Sequence, residues 1–203
     1  MDNSVENNVK QFYNNNYEKF DNSRYSIWKA VRNFVDNIAE DSLVLDAGCG
    51  NGKNMLYMQA RDIKVIGIDF CDKLLNICKE KVLNVKYADV RNIPFENNTF
   101  DYVISIAVIH HLSIESDRRK AIDEMLRVCK PNGKILVSVW ALEQDKNSRF
   151  KFRLGDNIVK WDDSTRFYHI HSKDTITDLL QSYNVESIFL DKGNWYFIIK
   201  NRI

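Results

Sequence analysis

The first candidate for chemistry is a cluster of glycines, because Gly48, Gly50 and Gly52 lie within five residues. Glycine allows the backbone to turn tightly and to pass close to a ligand. An apolar run at 43–45 precedes the cluster and a helical pattern at 53–61 follows it, so the loop is predicted to join a strand to a helix. The first N–H groups of such a helix have no internal partner and favour an anion or a nucleotide.

Three aspartates form the second candidate. Asp46, Asp69 and Asp89 each come directly after an apolar run that predicts a strand. The carboxyl ends of parallel strands meet at one edge of an open sheet, so the three carboxylates should share one crevice. There Asp69 can accept hydrogen bonds from two ribose hydroxyls, while Asp89 and the N–H of Val90 can contact an adenine edge. The pattern predicts a nucleoside site.

The spacing of the glycines separates two hypotheses about that nucleoside. Dinucleotide oxidoreductases typically carry Gly-x-Gly-x-x-Gly, whereas here the glycines alternate and Asp46 stands just before them. A pyrophosphate gains nothing from a neighbouring carboxylate, but a positively charged ligand does. The sequence therefore favours a cationic nucleoside over a dinucleotide.

The elements that must position these groups alternate along the chain. Two helices are predicted within residues 1–40, and apolar strands then alternate with helices, which predicts a parallel sheet covered on both faces. The turn at Gly193 makes the last two strands an antiparallel hairpin. Residues 142–165 lack a clear period and are predicted to form a long, basic, flexible loop. The predicted strands are 43–45, 63–68, 85–88, 100–107, 134–140, 185–190 and 194–200.

Length and composition limit the classes of protein. With 203 residues, 44% hydrophobic and 28% charged, the chain is predicted to form a single globular domain over 1–203. Its 29 basic and 28 acidic residues leave a net charge of +1, which excludes nucleic-acid binding by bulk charge but not by a local basic patch. No apolar run approaches the roughly 20 residues of a membrane span. The four cysteines include no Cys-x-x-Cys pair, so we expect no metal site, and a cytoplasmic location with the nucleus as an alternative.

The segment Asp-Ala-Gly-Cys-Gly-Asn-Gly at 46–52 resembles motif I of the class I S-adenosylmethionine-dependent methyltransferases, and the resemblance covers about 43–140. It implies S-adenosylmethionine, a positively charged nucleoside, as the cofactor. It also implies a Rossmann-like fold, in which a seven-stranded, mostly parallel sheet has helices on both faces and an antiparallel last strand. The cofactor-binding residues that it implies are Asp46, Gly48, Gly50, Asn51, Asp69, Phe70, Asp89, Val90 and Ile106.

A narrower resemblance comes from segments spread over nearly the whole chain. After the fourth predicted strand the chain has Ile-His-His at 109–111, where methyltransferases that modify base amines carry Asn/Asp-Pro-Pro-aromatic. Ser-Arg-Tyr at 23–25, Val-Trp-Ala-Leu-Glu-Gln at 139–144, Arg-Phe-Tyr-His at 166–169 and Gly-Asn-Trp at 193–195 complete a pattern that resembles the eukaryotic tRNA wobble-uridine carboxymethyl methyltransferases. The resemblance implies esterification of 5-carboxymethyluridine in tRNA, and a heterodimer with a small zinc-binding activator subunit.

The implied acceptor is a carboxylate, which is already ionised at neutral pH and needs no general base. Catalysis should come from holding one carboxylate oxygen about 3 Å from the cofactor methyl group and from excluding water. Arg24 is expected to bind this carboxylate or, alternatively, the carboxylate of the cofactor. His110 is expected to position the acceptor, in preference to His111, which is the other catalytic candidate.

The remaining predicted residues would hold the tRNA. Trp140 and Trp195 are expected to stack on the uracil ring, and Asn194 to hydrogen-bond its edge. Arg149 and Lys151, in a basic cluster with interleaved phenylalanines, are expected to contact phosphates. Two alternatives stay open. One is a methyltransferase with a small O- or C-acceptor, which would need none of these residues, and the other is a catalytically silent module that keeps the fold.

Overall fold

The computed structural model describes residues 3–202, with side chains from residue 5 onward. Its strands are β1 (Leu43–Ala47), β2 (Lys64–Asp69), β3 (Val85–Tyr87), β4 (Phe100–Ile106), β5 (Cys129–Trp140), β6 (Gly155–Trp161), β7 (Ser164–Ile170), β8 (Val185–Asp191) and β9 (Asn194–Lys200). Its helices are α1 (Asn3–Asn15), α2 (Tyr17–Ser23), α3 (Lys29–Val35), α4 (Lys53–Gln59), α5 (Asp72–Glu80), α6 (Glu115–Val128) and α7 (Lys173–Leu179), with a short 3-10 helix at Ile109–His111.

Seven of the strands form one sheet in the order β3-β2-β1-β4-β5-β9-β8. The strands β1 to β5 are parallel to one another, whereas β9 runs antiparallel to both of its neighbours, β5 and β8. This confirms the predicted seven-stranded, mostly parallel sheet with an antiparallel last strand. The carboxyl ends of β1, β2 and β3 therefore lie along one edge, as the three-aspartate pattern requires.

Helices cover both faces of this sheet, because successive strand residues point to opposite sides. On β1, Leu45 packs in a core with Ile122 of α6 and Ile176 of α7. Its neighbour Val44 packs on the other face with Val31 of α3 and with residues of α4. Two buried faces explain why the central strands are continuous apolar runs and not alternating ones.

Part of the expected flexible loop at 142–165 is a strand. Residues 155–161 form β6, which pairs in antiparallel register with β7 as a two-stranded hairpin outside the main sheet. Only Val159 of β6 is fully buried, and Ile158 beside it is 67% exposed. This mixture removes the alternation that predicts a half-buried strand, so no strand period is visible at these residues. The basic cluster itself lies in the irregular segment before β6.

The amino-terminal region has three helices where two were predicted. The backbone leaves helical geometry at Asn16, between α1 and α2, and again at Arg24 after α2. The helix α1 then packs against α5 and against β7 of the hairpin. Through this arrangement Arg24 reaches the carboxyl edge of the sheet. None of the helices within 3–202 has the length and apolar character needed to cross a bilayer.

Candidate active site

The glycine loop after β1 adopts a conformation that other residues rarely tolerate. Gly48, Gly50 and Gly52 have φ of +89°, +55° and +78°. A Cβ on Gly48 would lie 2.3 Å from a methyl carbon of Val108, so a side chain there would collide with the segment after β4. The N–H of Gly48 donates to the carbonyl of Ile68 at 2.8 Å, which ties the loop to β2. The loop thus brings backbone to the edge of the sheet.

Asp69 holds this loop from the end of β2. One of its carboxylate oxygens accepts the N–H of Gly50 and the other accepts the N–H of Cys71, both at 2.9 Å. Burial raises the pKa of Asp69, and these backbone N–H groups partly oppose the rise. Asn51 adds a second tie, because its amide donates to the Asp21 carboxylate at 2.8 Å and to the carbonyl of Arg24 at 2.9 Å.

Asp46 is buried, and within the described residues neither of its carboxylate oxygens has a hydrogen-bond partner. Burial and the nearby Asp69 raise the pKa of Asp46 to about 7. A buried carboxylate without a partner is costly unless a positive charge lies close to it. Its side chain stands behind the glycine loop and does not itself line the cavity described next.

A cavity of about 320 Å³ opens at the carboxyl edge of the sheet, a size typical of small-molecule sites. It is bounded by α1, the glycine loop, the ends of β2 and β4, the 3-10 helix and β7. Most of the predicted site residues lie in its wall. These are Arg24, Gly48, Gly50, Asn51, Asp69, Phe70, Asp89, Val90, Ile106, His110, His111 and Trp140.

Asp89 is engaged more fully than its predicted role suggests. Its Oδ1 accepts from Nε of Arg91 and its Oδ2 from Nη2, which makes a bidentate pair, and the same guanidinium donates to Asp117 at 2.6 Å. This pairing lowers the pKa of Asp89 against the opposing effect of burial. Adenine contact through this carboxylate stays a prediction, and it would have to share the oxygens with Arg91.

The two histidines have different hydrogen-bond environments. Nδ1 of His111 lies 2.7 Å from the carbonyl of Phe167, which can only accept, so Nδ1 carries the proton and Nε2 accepts from the hydroxyl of Tyr13 at 2.9 Å. Nδ1 of His110 accepts the N–H of Trp140 at 3.1 Å, which leaves the proton on Nε2. That Nε2 is buried and has no partner among the described residues. His110 therefore offers an unused donor, whereas both ring nitrogens of His111 are occupied.

Both histidines are neutral. Burial lowers the pKa of His111 to about 3, with a contribution from the positive charge of Arg166. Burial also lowers the pKa of His110 far below its ordinary value. Neither ring gains a proton near neutral pH, so His110 acts as a neutral hydrogen-bond donor.

Of the basic side chains in the cavity wall, the sequence predicted only Arg24 as a site residue. Arg24 lies over the rings of Phe20 and Trp161, at 5.6 and 5.9 Å from their centroids. Lys53 lies over the Trp28 ring, and burial together with the charge of Arg24 lowers the pKa of Lys53 to about 8. No ion pair of these two cations is present in the described part of the chain.

Several wall residues were given no site role in the sequence analysis, namely Tyr13, Lys53, Arg166 and Tyr168. The available signal was at 166–170, where one arginine precedes an otherwise apolar run ending in Ile170. A charged residue at a buried position of a strand indicates a function or a partner. The signal was lost because the strand before it was not predicted.

Asn194 and Trp195 do not reach the cavity. Trp195 is 7% exposed and packs in the core beside α6 and α7, and its indole N–H donates to the Glu143 carboxylate at 2.8 Å. Trp195 pairs with Val139 across the sheet, so both face that core and away from the side of Trp140. The side-chain amide of Asn194 donates to the carbonyl of Lys192 in the β8–β9 turn. The expected uracil contacts of both residues are corrected accordingly.

Arg149 and Lys151 are exposed and lie outside the cavity wall. The guanidinium of Arg149 is 4.9 Å from the ring of Phe150. Phe150 in turn packs against Trp140, with ring centroids 5.1 Å apart. The basic cluster is thus connected to the cavity through aromatic side chains.

Comparison with known proteins agrees with this geometry. Residues 45–137 match the family model described as a methyltransferase domain. The chain is 33% identical to the tRNA (carboxymethyluridine(34)-5-O)-methyltransferase of Schizosaccharomyces pombe, over 94% of each chain. It is 43% identical over 129 residues to the Arabidopsis thaliana protein of the same name, of which it spans only 31%.

A solved structure supports the fold. The methyltransferase bound to the Trm112 methyltransferase activator of Haloferax volcanii superposes with a TM-score of 0.72, over 98% of both chains and at 14% identity. At that identity the likeness concerns the fold alone.

A glycine loop of this kind, at the carboxyl edge of a sheet with this strand order, defines the class I S-adenosylmethionine-dependent methyltransferases. S-adenosylmethionine is therefore the cofactor. The alignment with the Schizosaccharomyces pombe protein, which runs over nearly the full length of both chains, then fixes the branch of this class. The chain belongs to the family of the tRNA (carboxymethyluridine(34)-5-O)-methyltransferases.

The residues present fit this cofactor. The unpartnered carboxylate of Asp46 supplies negative charge next to a positively charged ligand. Each oxygen of Asp69 accepts one N–H and keeps a lone pair for a ribose hydroxyl. Arg24 and Lys53, which lie beside the loop, suit the carboxylate of the methionine portion.

Proposed function

We propose that this protein methylates the carboxylate of 5-carboxymethyluridine at the wobble position of tRNA, giving the methyl ester. One observation carries the proposal beyond family membership. Besides Arg24, the cavity combines a neutral histidine donor, His110, with the guanidinium group of Arg166, and no carboxylate of the described residues pairs with Arg166. A site of this composition suits an anionic acceptor.

The proposed chemistry needs no base in the wall. When bound, S-adenosylmethionine supplies a methyl group on a positively charged sulfur. Transfer of this methyl group to the acceptor oxygen would break the sulfur–carbon bond and cancel one negative and one positive charge, so no proton would have to move. His110 orients the acceptor through its free Nε2–H, His111 holds Tyr13 in place, and neither neutral ring deprotonates the acceptor.

The tRNA surface that we propose lies beside Trp140. Phe150 and Phe152 pack against this indole, with ring centroids at 5.1 and 5.2 Å. The exposed Arg149 and Lys151 belong to the same segment and would contact anticodon phosphates. The chain's net charge of +1 means that such a local patch, and not bulk charge, must supply the attraction.

We propose the β3 edge as the docking surface of a small zinc-binding activator subunit. β3 ends the sheet on the cofactor side, and an edge strand leaves backbone groups available for strand addition. Tyr87 lines the cavity and is 51% exposed, and Val82 just before the strand is 86% exposed. The Haloferax volcanii methyltransferase of similar fold was solved in complex with the Trm112 methyltransferase activator. The buried, unbridged cysteines support a cytosolic location for the complex.

A pair of edge variants tests the activator surface. Val82→Asp places a charge beside β3, and we expect it to abolish co-purification with the activator. Leu190→Asp is the control variant. It places a charge at β8, the opposite edge strand, where Leu190 is 43% exposed, and it should retain the activator. If both variants retain the activator equally, β3 is not its docking surface.

The reaction itself is tested by incubating tRNA that carries 5-carboxymethyluridine with labelled cofactor, with and without the activator. Mass spectrometry of the digested nucleosides should show the methyl ester. Loss of three basic side chains, Arg149, Lys151 and Arg153, as a triple alanine variant should weaken tRNA binding.

The matched control for that variant removes three basic side chains near the amino ends of the strands, Lys64, Lys130 and Lys134. Each forms a surface ion pair, which contributes little to stability. Undiminished tRNA affinity and turnover in the first triple variant would favour a small-molecule acceptor. Absence of cofactor binding to the complex with the activator would indicate a catalytically silent module.

A further inference from the structure

Arg166 is the most unusual charged residue of the cavity. It lies on β7, its side chain lines the cavity, and only 6% of the residue is exposed. Within 3–202 it forms no ion pair, and its buried Nε has no hydrogen-bond partner. A buried cation without an anion is costly, so its retention points to a ligand that supplies the negative charge.

Aromatic rings hold this guanidinium in place. Its carbon lies 4.6 Å from the ring centroid of Trp161, 4.7 Å from that of Phe12 and 5.1 Å from that of Tyr168. Cation–π attraction offsets part of the cost of burial and fixes the plane of the fork. The remaining tie is a hydrogen bond of 3.1 Å, donated by Nη1 to the hydroxyl of Tyr13.

Arg166 is connected to the histidine side of the cavity. The Tyr13 hydroxyl that accepts from Arg166 also donates to Nε2 of His111. The ring of Tyr168 lies 4.8 Å from the ring of His110 and 5.1 Å from the guanidinium of Arg166, so it adjoins both. The unused N–H of His110 and the unpaired fork of Arg166 therefore flank one part of the cavity.

Arg24 adjoins Arg166, since their guanidinium groups lie 5.9 and 4.6 Å from the ring centroid of Trp161, but it is connected to the glycine loop. Its carbonyl accepts the amide of Asn51 in the glycine loop at 2.9 Å. Arg24 is also close enough to Lys53, at the start of α4, to lower the pKa of that lysine. The two arginines thus differ in their ties, because only Arg24 is bonded to the glycine loop and only Arg166 is connected to His111 through Tyr13.

We infer that Arg166, together with the Nε2–H of His110, binds the acceptor carboxylate, whereas Arg24 and Lys53 bind the carboxylate of the cofactor. This inference rests on the proposed function and assigns its substrate anion to one residue. An acid acceptor is then favoured over its neutral amide because only the acid pairs with the fork of Arg166. Ester formation removes the negative charge from that pair and so favours release of the product.

The test compares two ligands that differ in one group. Anticodon stem-loops with 5-carboxymethyluridine or with 5-carbamoylmethyluridine at the wobble position are titrated into protein saturated with S-adenosylhomocysteine, with the activator present. We expect the wild type to bind the acid at least about 10-fold more tightly than the amide. Arg166→Gln should reduce this preference to within about two-fold and leave affinity for S-adenosylhomocysteine unchanged.

Arg24→Gln is the matched variant, with the opposite expectation. It should keep the preference for the acid and bind S-adenosylhomocysteine at least about 10-fold more weakly. Tyr13→Phe keeps the ring but removes the hydroxyl bond to Arg166, so it should lower the preference partially. It serves as the second measurement if Arg166→Gln does not fold. Arg166→Lys, which keeps the charge without the fork, should restore part of the preference.

Ester formation by the wild type is measured first, because it tests the proposed function separately from the inference about Arg166. Without any ester the proposed function is wrong, and the inference falls with it. With ester formed, a full acid preference in Arg166→Gln would overturn the inference alone. Equal weakening of acid and amide in that variant would also overturn it, because Arg166 would then bind a phosphate of the RNA.

Discussion

The indole of Trp140 stacks on the phenol ring of Tyr168, with centroids 4.2 Å apart and planes inclined by 14°. Trp140 ends β5 of the main sheet, whereas Tyr168 lies on β7 of the separate hairpin. The stack therefore fastens the hairpin to the sheet. It does so beside His110, whose Nδ1 accepts the N–H of Trp140. The position of Arg166, two residues before Tyr168, depends on the same attachment.

Replacement of Trp140 should affect tRNA turnover. Trp140→Ala removes the stack on Tyr168 and the contacts to Phe150 and Phe152, so we expect a loss of about 1–2 kcal/mol, or roughly 5- to 30-fold in kcat/KM for tRNA. Trp140→Phe keeps an aromatic face and should retain most of the activity. Steady-state esterification assays provide the measurement.

Trp195 is the control for this prediction, because its indole is in the core and not in the cavity. Trp195→Phe loses the hydrogen bond to Glu143 and should lower the melting temperature slightly without a change in KM for tRNA. A rise in KM for Trp195→Phe equal to that for Trp140→Ala would contradict the structural assignment of both residues.

Asp46 should lower the stability of the folded protein while it favours cofactor binding. Its pKa is raised to about 7 in the folded protein, so the folded state binds more protons than the unfolded chain between about pH 4 and 7. Stability from this group accordingly falls as pH rises through that window, and the full penalty, on the order of 4 kcal/mol, is present above it.

Asp46→Asn removes that penalty. We expect a melting temperature several degrees above that of the wild type at pH 8, but little difference at pH 4, together with weaker binding of S-adenosylmethionine. Asp41→Asn, at an exposed carboxylate with φ of +63°, is the control and should change neither quantity. Differential scanning calorimetry at pH 4 and pH 8 measures the melting temperatures. A less stable Asp46→Asn protein at pH 8 would show that the carboxylate has a favourable partner in the free protein.

The fold was largely accessible from the sequence, because both-sided burial leaves continuous apolar strands such as β1 and β4. The nucleoside half of the site was accessible for a related reason. Strand ends fix where Asp46 and Asp69 must lie, whatever the side chains around them. The acceptor half of the site was not accessible from the sequence, because Arg166 comes from the hairpin and Tyr13 from α1. Only tertiary packing brings these two residues to His111. Trp195 was misplaced because alternation along β9, invisible without the pairing to β5, decides which face it occupies.

Lys53 should make cofactor affinity depend on pH. Burial and Arg24 lower its pKa to about 8, and only the protonated amine pairs with the methionine carboxylate. Affinity for S-adenosylhomocysteine should therefore fall as pH rises above about 8, by at most about tenfold per pH unit. Calorimetry at pH 7, 8 and 9 measures this loss.

Two variants isolate the contribution of Lys53, since ionisation of the ligand itself is common to all proteins compared. Lys53→Arg keeps its charge at pH 9 and should lose less affinity there than the wild type. Lys53→Met should bind weakly at every pH. The same alkaline decline in Lys53→Arg as in the wild type would assign the titration to another group.

Gly48 should be much less replaceable than Gly155, a glycine outside the loop. Gly48 and Gly155 have similar backbone angles, with φ of +89° and +82°, so alanine at either position meets the strain of a left-handed conformation. Only at Gly48 would the new Cβ also collide, at 2.3 Å from a methyl carbon of Val108, whereas the nearest atom at Gly155 is 4.0 Å away. Gly48→Ala should therefore cost about 1–3 kcal/mol more than Gly155→Ala in chemical denaturation, and it should lower cofactor affinity at least about tenfold. Adding Val108→Ala to Gly48→Ala should recover part of both losses, because it removes the colliding methyl groups. Equal losses in the two single variants, with no recovery in the double variant, would mean that backbone strain alone governs the loop.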